Sequence, residues 1–297
     1  MSDDSEQGTR HGYEPPTESN WRREWRDVSS DVRRWVAARQ SWDTLKAVPP
    51  WMAWFWVLGL YIVGGWAGGT YNAIRFLLGD LATPPVMSWP QVGRMAVHSI
   101  PPLVAAGLGL GACAKVGATA ARLGLLPENG WRTIAIDGVI VSLLAWSSKI
   151  SFTIGFSIGG SENAQNSTGS TYARVANIIH GTAAGIGEEV AILAVPVVIL
   201  RAARQPWWAI VVAATALRLS FHTYYGWGTL GLTVWALTSL ALFVATRRLL
   251  PLIVAHVLWN VVPHITGVAD SSLWFTMTFG VLGAVVLLAN RSDAAES

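Results

Sequence analysis

The segment GTAAGIGEEVAILAVPVVIL, residues 181–200, decides the fold of this chain. It is almost entirely apolar, yet Glu188 and Glu189 stand side by side within it. About 20 apolar residues are enough for a helix to cross a bilayer, and an ionised carboxylate inside the hydrocarbon is costly unless it is paired or solvated. The segment therefore predicts a membrane helix in which two adjacent acids have a function.

The composition extends this prediction to the whole chain. Its 297 residues are 52% hydrophobic and 13% charged, whereas a soluble domain carries about 25% charged residues. We therefore predict an all-α, polytopic membrane helical bundle of about eight transmembrane helices, an integral multi-pass protein of the plasma (cell inner) membrane. The predicted spans are 51–72, 95–113, 133–157, 173–200, 207–225, 229–246, 249–266 and 272–290.

The basic residues predict the orientation, since Lys and Arg favour cytoplasmic loops. Most of them follow the second, fourth, sixth and eighth spans or lie in the N-terminal tail, which places both termini in the cytoplasm; the first outward loop, with Arg75 and Arg94, is the exception. We divide the chain into a polar cytoplasmic tail (1–48), a transmembrane domain (49–291) and a short C-terminal tail (292–297). Two interpretations of the Trp- and Arg-rich part of the first tail stay open, an amphipathic helix on the membrane surface and a solvated linker helix.

Ionisable and amide side chains are concentrated on three of the predicted spans. Because polar groups in lipid need partners, these three helices should pack together with their polar faces toward one another. The fourth span carries Glu188 and Glu189, the fifth Arg218 and His222, and the seventh His256 and Asn260.

These residue types together suit the hydrolysis of an amide bond. A carboxylate can accept a proton from water and so activate it against a carbonyl carbon, and imidazole and amide N–H groups can stabilise the resulting oxyanion. A neighbouring guanidinium would keep one glutamate ionised, because an opposite charge favours the charged form. Neither a Ser–His–Asp set nor an H-E-x-x-H motif competes with this interpretation.

The order of these residues resembles the type II CAAX prenyl endopeptidases and their bacterial relatives, the CAAX protease and bacteriocin-processing (Abi) group of intramembrane proteases. That family has Glu-Glu-xxx-Arg, then Phe-xxx-His, then His-xxx-Asn/Asp on separate membrane helices. Here Glu188-Glu189, His222 and His256-xxx-Asn260 follow in the same order within a protease-like core at about 173–266. Leu193 replaces the family's Arg and Arg218 its Phe, and we hypothesise that Arg218 supplies the missing guanidinium from the fifth span.

The resemblance implies a role for each matching residue. Glu188 would activate water, and Glu189 would orient the site or pair with Arg218. His222 and His256 would polarise the substrate carbonyl or hold the water, and Asn260 would complete the oxyanion site. We expect no cofactor; the alternative is a zinc ion on Glu188, His222 and His256, since a Glu and two His resemble a zinc set.

The resulting functional prediction is a protease, an intramembrane endopeptidase that cleaves a membrane-associated or hydrophobic, CAAX-like peptide near the inner face. Its expected partners are membrane lipid and a hydrophobic or lipidated peptide or membrane protein as substrate, and no nucleic acid. Two alternatives stay open. One is an inactive family member that acts as a membrane scaffold or bacteriocin-immunity protein, and the other is a proton-coupled transporter, because Glu, His and Arg also form proton relays.

Overall fold

The computed structural model describes residues 42–79, 89–126, 131–159 and 170–266, and this part of the chain is helical with no β-strand. The predicted tail up to residue 41, the predicted eighth span and the C-terminal tail lie outside the described residues. The helices are α1 (Pro50–Val63), α2 (Trp66–Leu77), α3 (Trp89–His98), α4 (Ile100–Lys115), α5 (Trp131–Ser157), α6 (Thr171–Gly187), a π-helix (Glu188–Ala194), α7 (Val195–Ala202), α8 (Trp207–Ser220), α9 (Leu232–Thr246) and α10 (Leu249–Thr266).

The predicted membrane bundle is confirmed, while its count of eight spans stays a prediction. Five segments are long and apolar enough to cross a bilayer, and a bent pair of helices makes a sixth. The predicted fifth span is a shorter apolar helix that ends at Ser220. The five segments are Trp89–Lys115, Thr133–Gly155, Thr171–Ala202, Trp227–Thr246 and Leu249–Thr266.

The first span is broken rather than straight. Helices Pro50–Val63 and Trp66–Arg75 meet at an angle of 62°. Gly65 between them has φ = 83°, a left-handed backbone conformation that favours glycine. Tyr61 before the break and Trp66 beyond it both pack against Phe221, so that the bend brings this span to the end of α8.

The fourth span runs through the centre of the bundle and changes its winding at the acids. It continues from Thr171 to Ala202, but Glu188–Ala194 is π-helical, a local widening that occurs frequently at functional sites. The widened turn ends just before Pro196, which lies in the first turn of α7. A Cβ on Gly185 would lie 2.9 Å from the backbone nitrogen of Val257, which shows how closely α10 approaches.

The end of the bundle that carries most basic residues is closed by packed segments. The backbone N–H of Lys46 donates to Val116 O and that of Val48 to Ala202 O, so the last residues of the predicted tail lie against the bundle. Residues 118–126 cover the start of α10, where Leu249 N–H donates to Leu123 O. Beside them, Arg248 binds Asp137 with two hydrogen bonds of 2.9 and 2.5 Å.

Candidate active site

Glu189 lies at the centre of a buried ion-pair network. Its side chain is 0% exposed, and its Oε1 accepts a hydrogen bond from Nη2 of Arg218 at 2.9 Å. Nδ1 of His256 donates to the same oxygen at 2.8 Å. An unpaired buried carboxylate would be strongly destabilising, and two donors from two other helices offset that cost. The structure therefore places Glu189, Arg218 and His256 together.

Glu188 is adjacent to Glu189 in the sequence but has different contacts. Its Oε2 is buried and has no hydrogen-bond partner among the described residues. The nearest ionisable group is His256, whose Nε2 lies 3.9 Å away. The carboxylate also interacts electrostatically with His180 and His222. Glu188 thus faces imidazoles while it keeps lone pairs for a small molecule such as water.

His222 is oriented by the residue one helical turn before it. Its Nδ1 lies 2.8 Å from the carbonyl oxygen of Arg218. Because a carbonyl oxygen only accepts hydrogen bonds, Nδ1 carries the proton, and Nε2 is the remaining ring nitrogen. The ring stacks parallel to Tyr225, with an interplanar angle of 9°. Arg218 therefore has two roles. Its guanidinium pairs with Glu189, and its carbonyl oxygen, one turn before His222, orients the His222 ring.

Asn260 lies one turn beyond His256 and reaches the backbone of the fourth span. Its Nδ2 donates to Gly181 O at 3.4 Å. A Cβ on Gly181 would come within 2.9 Å of the Asn260 Cβ, so only glycine allows this approach. Gly181 and Gly185, four residues apart, are where α10 packs against the fourth span.

The predicted spans place His222 nearer the outer face of the membrane and His256 nearer the inner face, yet both residues interact with Glu188. The reason lies at the start of α10. Arg248 and Leu249 are themselves buried, at 1% and 0% exposure, under residues 118–126. The helix therefore begins inside the bundle, and seven residues bring it to the level of Glu189.

A fourth helix, α9, contributes to the site, whereas the sequence analysis expected three. The Arg218 guanidinium lies 4.3 Å from the centre of the Trp235 ring, and its Nη1 donates to Ser239 Oγ at 3.1 Å. Trp235 also meets His256 edge to face at 4.6 Å. Neither Trp235 nor Ser239 is ionisable, so a search of the sequence for ionisable residues misses both. The available signal was their spacing of four residues, which places them on the same face of one apolar helix.

The relocated arginine has a physical explanation. Leu193 stands where the family that the sequence resembles has Arg, and its side chain is 2% exposed in the apolar core. Arg218 is equally buried, at 2%, but it has a carboxylate, a hydroxyl and an aromatic face as partners. The site therefore keeps a guanidinium against Glu189, supplied by another helix.

The positions of Glu188, His222 and His256 bear on the zinc alternative. The Nδ1 atoms of His222 and His256 hold hydrogen bonds, which leaves their Nε2 atoms as ligands together with Glu188. In the part of the chain that the structure describes, no three His, Cys, Asp or Glu side chains are arranged to hold a metal ion. The Arg218 guanidinium beside Glu189 also opposes a cation.

The candidate site lies in a part of the chain that matches a known protein family. The family model for Type II CAAX prenyl endopeptidase Rce1-like proteins matches residues 171–262. That range contains all six predicted site residues, from Glu188 to Asn260. No curated protein and no solved structure matches the chain. The resemblance inferred from the sequence is thereby confirmed for this part of the chain: residues 171–262 match the Rce1-like type II CAAX prenyl endopeptidase family, a family of proteases.

Proposed function

We propose that this integral membrane protein is an intramembrane endopeptidase that hydrolyses a peptide bond of a hydrophobic or membrane-associated peptide. It acts as a multi-pass protein of the plasma membrane and without a metal cofactor. The observation that carries the proposal is the division between two adjacent acids. Glu189 is ion-paired with Arg218, whereas Glu188 has no hydrogen-bond donor and faces Nε2 of His256 at 3.9 Å.

The proposed reaction begins with a water molecule held by Glu188. Glu188 accepts a proton from the water as its oxygen attacks the peptide carbonyl carbon, which forms a tetrahedral intermediate with a negatively charged oxygen. N–H groups of the site stabilise that oxyanion. The proton then passes from Glu188 to the peptide nitrogen, the C–N bond breaks, and a carboxylic acid and an amine leave.

The remaining residues orient the two reacting groups. Glu189 fixes the His256 ring through Nδ1, and the Arg218 carbonyl fixes His222 through its Nδ1. Each imidazole therefore turns its Nε2 away from these anchors. With the proton on Nδ1, Nε2 of a neutral ring accepts a hydrogen bond from the water, whereas Nε2 of a protonated ring donates one to the oxyanion. Asn260, one turn from His256, offers its amide at the Gly181 side of the same chamber.

The test compares purified wild-type protein, reconstituted in lipid, with Glu188→Gln on a fluorogenic hydrophobic peptide. A general base contributes about 100- to 10,000-fold to a rate, so we expect at least about a 100-fold loss of kcat for this nearly isosteric change. Asp137→Asn, an acid outside the site, is the matched control and keeps its activity.

The outcomes separate the three functional classes. Equal turnover by wild type and Glu188→Gln would overturn the peptidase proposal. A wild-type protein that folds but cleaves nothing would favour the inactive scaffold or immunity protein. Proton-coupled uptake by proteoliposomes, abolished in Glu188→Gln without any cleavage, would favour the transporter.

A further inference from the structure

The broken first span reaches the site through a turn made by two adjacent glycines. Gly64 and Gly65 separate α1 from α2, and Gly65 takes the left-handed backbone conformation. A Cβ on Gly64 would overlap the ring of Trp66. Glycine at both positions therefore lets the chain turn and lets the Trp66 ring fold back over the break. The rings of Trp66 and Tyr61 are consequently stacked, with their centroids 6.4 Å apart.

Three hydroxyl groups join the two halves of this span to the end of α8. The Tyr61 hydroxyl oxygen lies 2.5 Å from Oγ1 of Thr70 and 2.6 Å from Oγ of Ser220. Thr70 Oγ1 donates to Trp66 O and Ser220 Oγ donates to Leu217 O, each within its own helix. Both of these oxygens are therefore acceptors for the single hydroxyl proton of Tyr61. Of the three hydroxyls, Tyr61 is the one whose proton links separate helices.

His222 lies just beyond the helix end that this cluster holds. α8 ends at Ser220, and His222 has φ = −96° and ψ = 3°, outside a regular α-helix. Phe221 stands between the two residues. Its ring packs on those of Tyr61 and Trp66, at centroid distances of 6.4 and 6.2 Å, and on the imidazole at 4.4 Å. Phe221 thus touches both the first span and the His222 ring.

The second half of the span, α2, continues along the turn that carries His222. It packs against the short helix Thr223–Tyr225. A Cβ on Gly69 would lie 3.5 Å from the Cβ of Phe221, and one on Gly226 would lie 3.9 Å from Cδ2 of Leu77. The first span therefore contacts the chain from residue 220 to residue 226, on both sides of His222 in the sequence.

The hydrogen bonds that His222 makes are local. Its Nδ1 is held by Arg218 O, and its carbonyl oxygen accepts from Thr229 Oγ1 and from the backbone N–H of Tyr225. Bonds within one segment fix its shape, whereas its position relative to Glu188 depends on contacts with other helices. The Arg218 guanidinium provides such a contact one turn earlier, and the first span provides the next ones at Ser220 and Phe221.

We propose that the broken first span positions His222 for catalysis, and that Tyr61 is the positioning residue that acts through Ser220 and Phe221. This span lies outside residues 171–262, the segment that matches the protease family, so the inference assigns a role in the site to another part of the chain. The effect on rate rests on the proposed function, whereas the orientation of His222 can be measured without turnover.

The first experiment compares Tyr61→Phe with Tyr71→Phe, which removes a hydroxyl from a 61% exposed tyrosine of the same span. The net effect of one hydrogen bond corresponds to roughly a fivefold factor. We therefore expect Tyr61→Phe to lower kcat about fivefold with KM unchanged, and Tyr71→Phe to keep both constants. Ser220→Ala, which removes the other side of the link, should match Tyr61→Phe. Because Thr70 and Ser220 keep their carbonyl partners in Tyr61→Phe, its unfolding temperature should fall little.

The second experiment measures the modification of each histidine by diethyl pyrocarbonate, located by mass spectrometry. His98, which is exposed, and His256, which is buried, are internal references. A side chain that is held less firmly opens more often. We expect the modification rate of His222, relative to both references, to rise about fivefold in Tyr61→Phe and to stay at the wild-type value in Tyr71→Phe.

The two measurements separate the possible failures. In an active enzyme the inference requires both changes, so a fall in kcat without a selective change at His222, or the reverse, would overturn it. An equal rise for His222 and His256 would show general loosening and would overturn it as well. A wild-type protein that cleaves nothing would refute the peptidase, and the modification rates would then decide by themselves whether Tyr61 positions His222.

Discussion

Two acid–arginine pairs in this protein have the same chemistry and different settings: Glu189 is fully buried, whereas the Asp137 side chain is 26% exposed. Arg248 and Asp137 form a two-point contact at the closed end of the bundle, and no other ionisable side chain among the described residues shares a hydrogen bond or ion pair with Asp137 there. Arg218 and Glu189 make a single contact, and His256, Ser239 and Trp235 join them. The first pair joins α5 to the start of α10, and the second orients an imidazole beside an unpaired carboxylate.

The comparison teaches that a buried charge in a membrane segment is not by itself a sign of catalysis. Both pairs satisfy the requirement that charges in a bilayer find partners. What sets the Arg218 region apart is Glu188, an acid next to the pair whose Oε2 has no hydrogen-bond partner among the described residues and lies 3.9 Å from Nε2 of His256. Four substitutions test this distinction.

The largest effect is expected for Arg218→Leu. Removing one partner of a buried ion pair leaves the other charge uncompensated and costs about 3–5 kcal/mol. We therefore expect a large fall in thermal stability of the detergent-solubilised protein together with loss of peptidase activity, and a smaller loss of both for Arg218→Lys. Retention of expression, stability and activity in Arg218→Leu would refute the role given to this guanidinium.

Asp137→Ala should separate stability from activity. A hydrogen bond to a charged group contributes about 1.5–3 kcal/mol, and we expect a loss of free energy of unfolding in that range. Because this pair lies outside the site, kcat at a temperature where the variant is folded should equal that of wild type. A kcat loss as large as that of Glu188→Gln would show that the Arg248–Asp137 pair also contributes to activity, and the distinction between the two pairs would be wrong.

Trp235→Leu should lower activity more than stability. A desolvated cation–π contact is worth about 2 kcal/mol, equivalent to roughly a 30-fold fall in kcat if the indole holds Arg218 and His256 in position. Trp235→Phe should retain part of the rate, and Trp227→Leu, at a 74% exposed position, should retain all of it.

A double substitution shows whether Trp235 acts through Arg218. If it does, Trp235→Leu adds little to the defect of Arg218→Lys, since contacting residues are not additive. Fully additive losses in kcat would instead indicate that the indole acts elsewhere.

The smallest effect concerns helix packing. In Gly185→Ala, the new methyl group would lie 2.9 Å from the Val257 backbone nitrogen, and overpacking of this kind costs about 1 kcal/mol or slightly more. We expect a lower unfolding temperature and a modest rate loss, because α10 carries His256. Gly111→Ala is the control, since nothing lies within 4 Å of its added carbon; an equal destabilisation there would remove the close-approach argument.

The sequence by itself determined the class of protein and most span limits, and it singled out six polar side chains on three spans, two of them the acids. Hydropathy and charge are properties of contiguous residues, so a chain of apolar stretches with basic loops specifies its membrane segments locally. The ordered motifs on separate spans also indicated the family that residues 171–262 match. Polar groups in lipid must meet, and that rule alone predicted that the fourth, fifth and seventh spans pack together.

The resemblance implied that Glu189 orients the site or pairs with Arg218, but only the tertiary structure gives the contacts. The rotation of the π-helix against α8 and α10 turns Glu189 to both Arg218 and His256. The depth at which α10 begins brings His256 level with them, and α9 adds Trp235 and Ser239, which no search for charge would select. These features depend on how helices distant in the chain are rotated and offset against one another, and a local pattern of residues does not encode that offset.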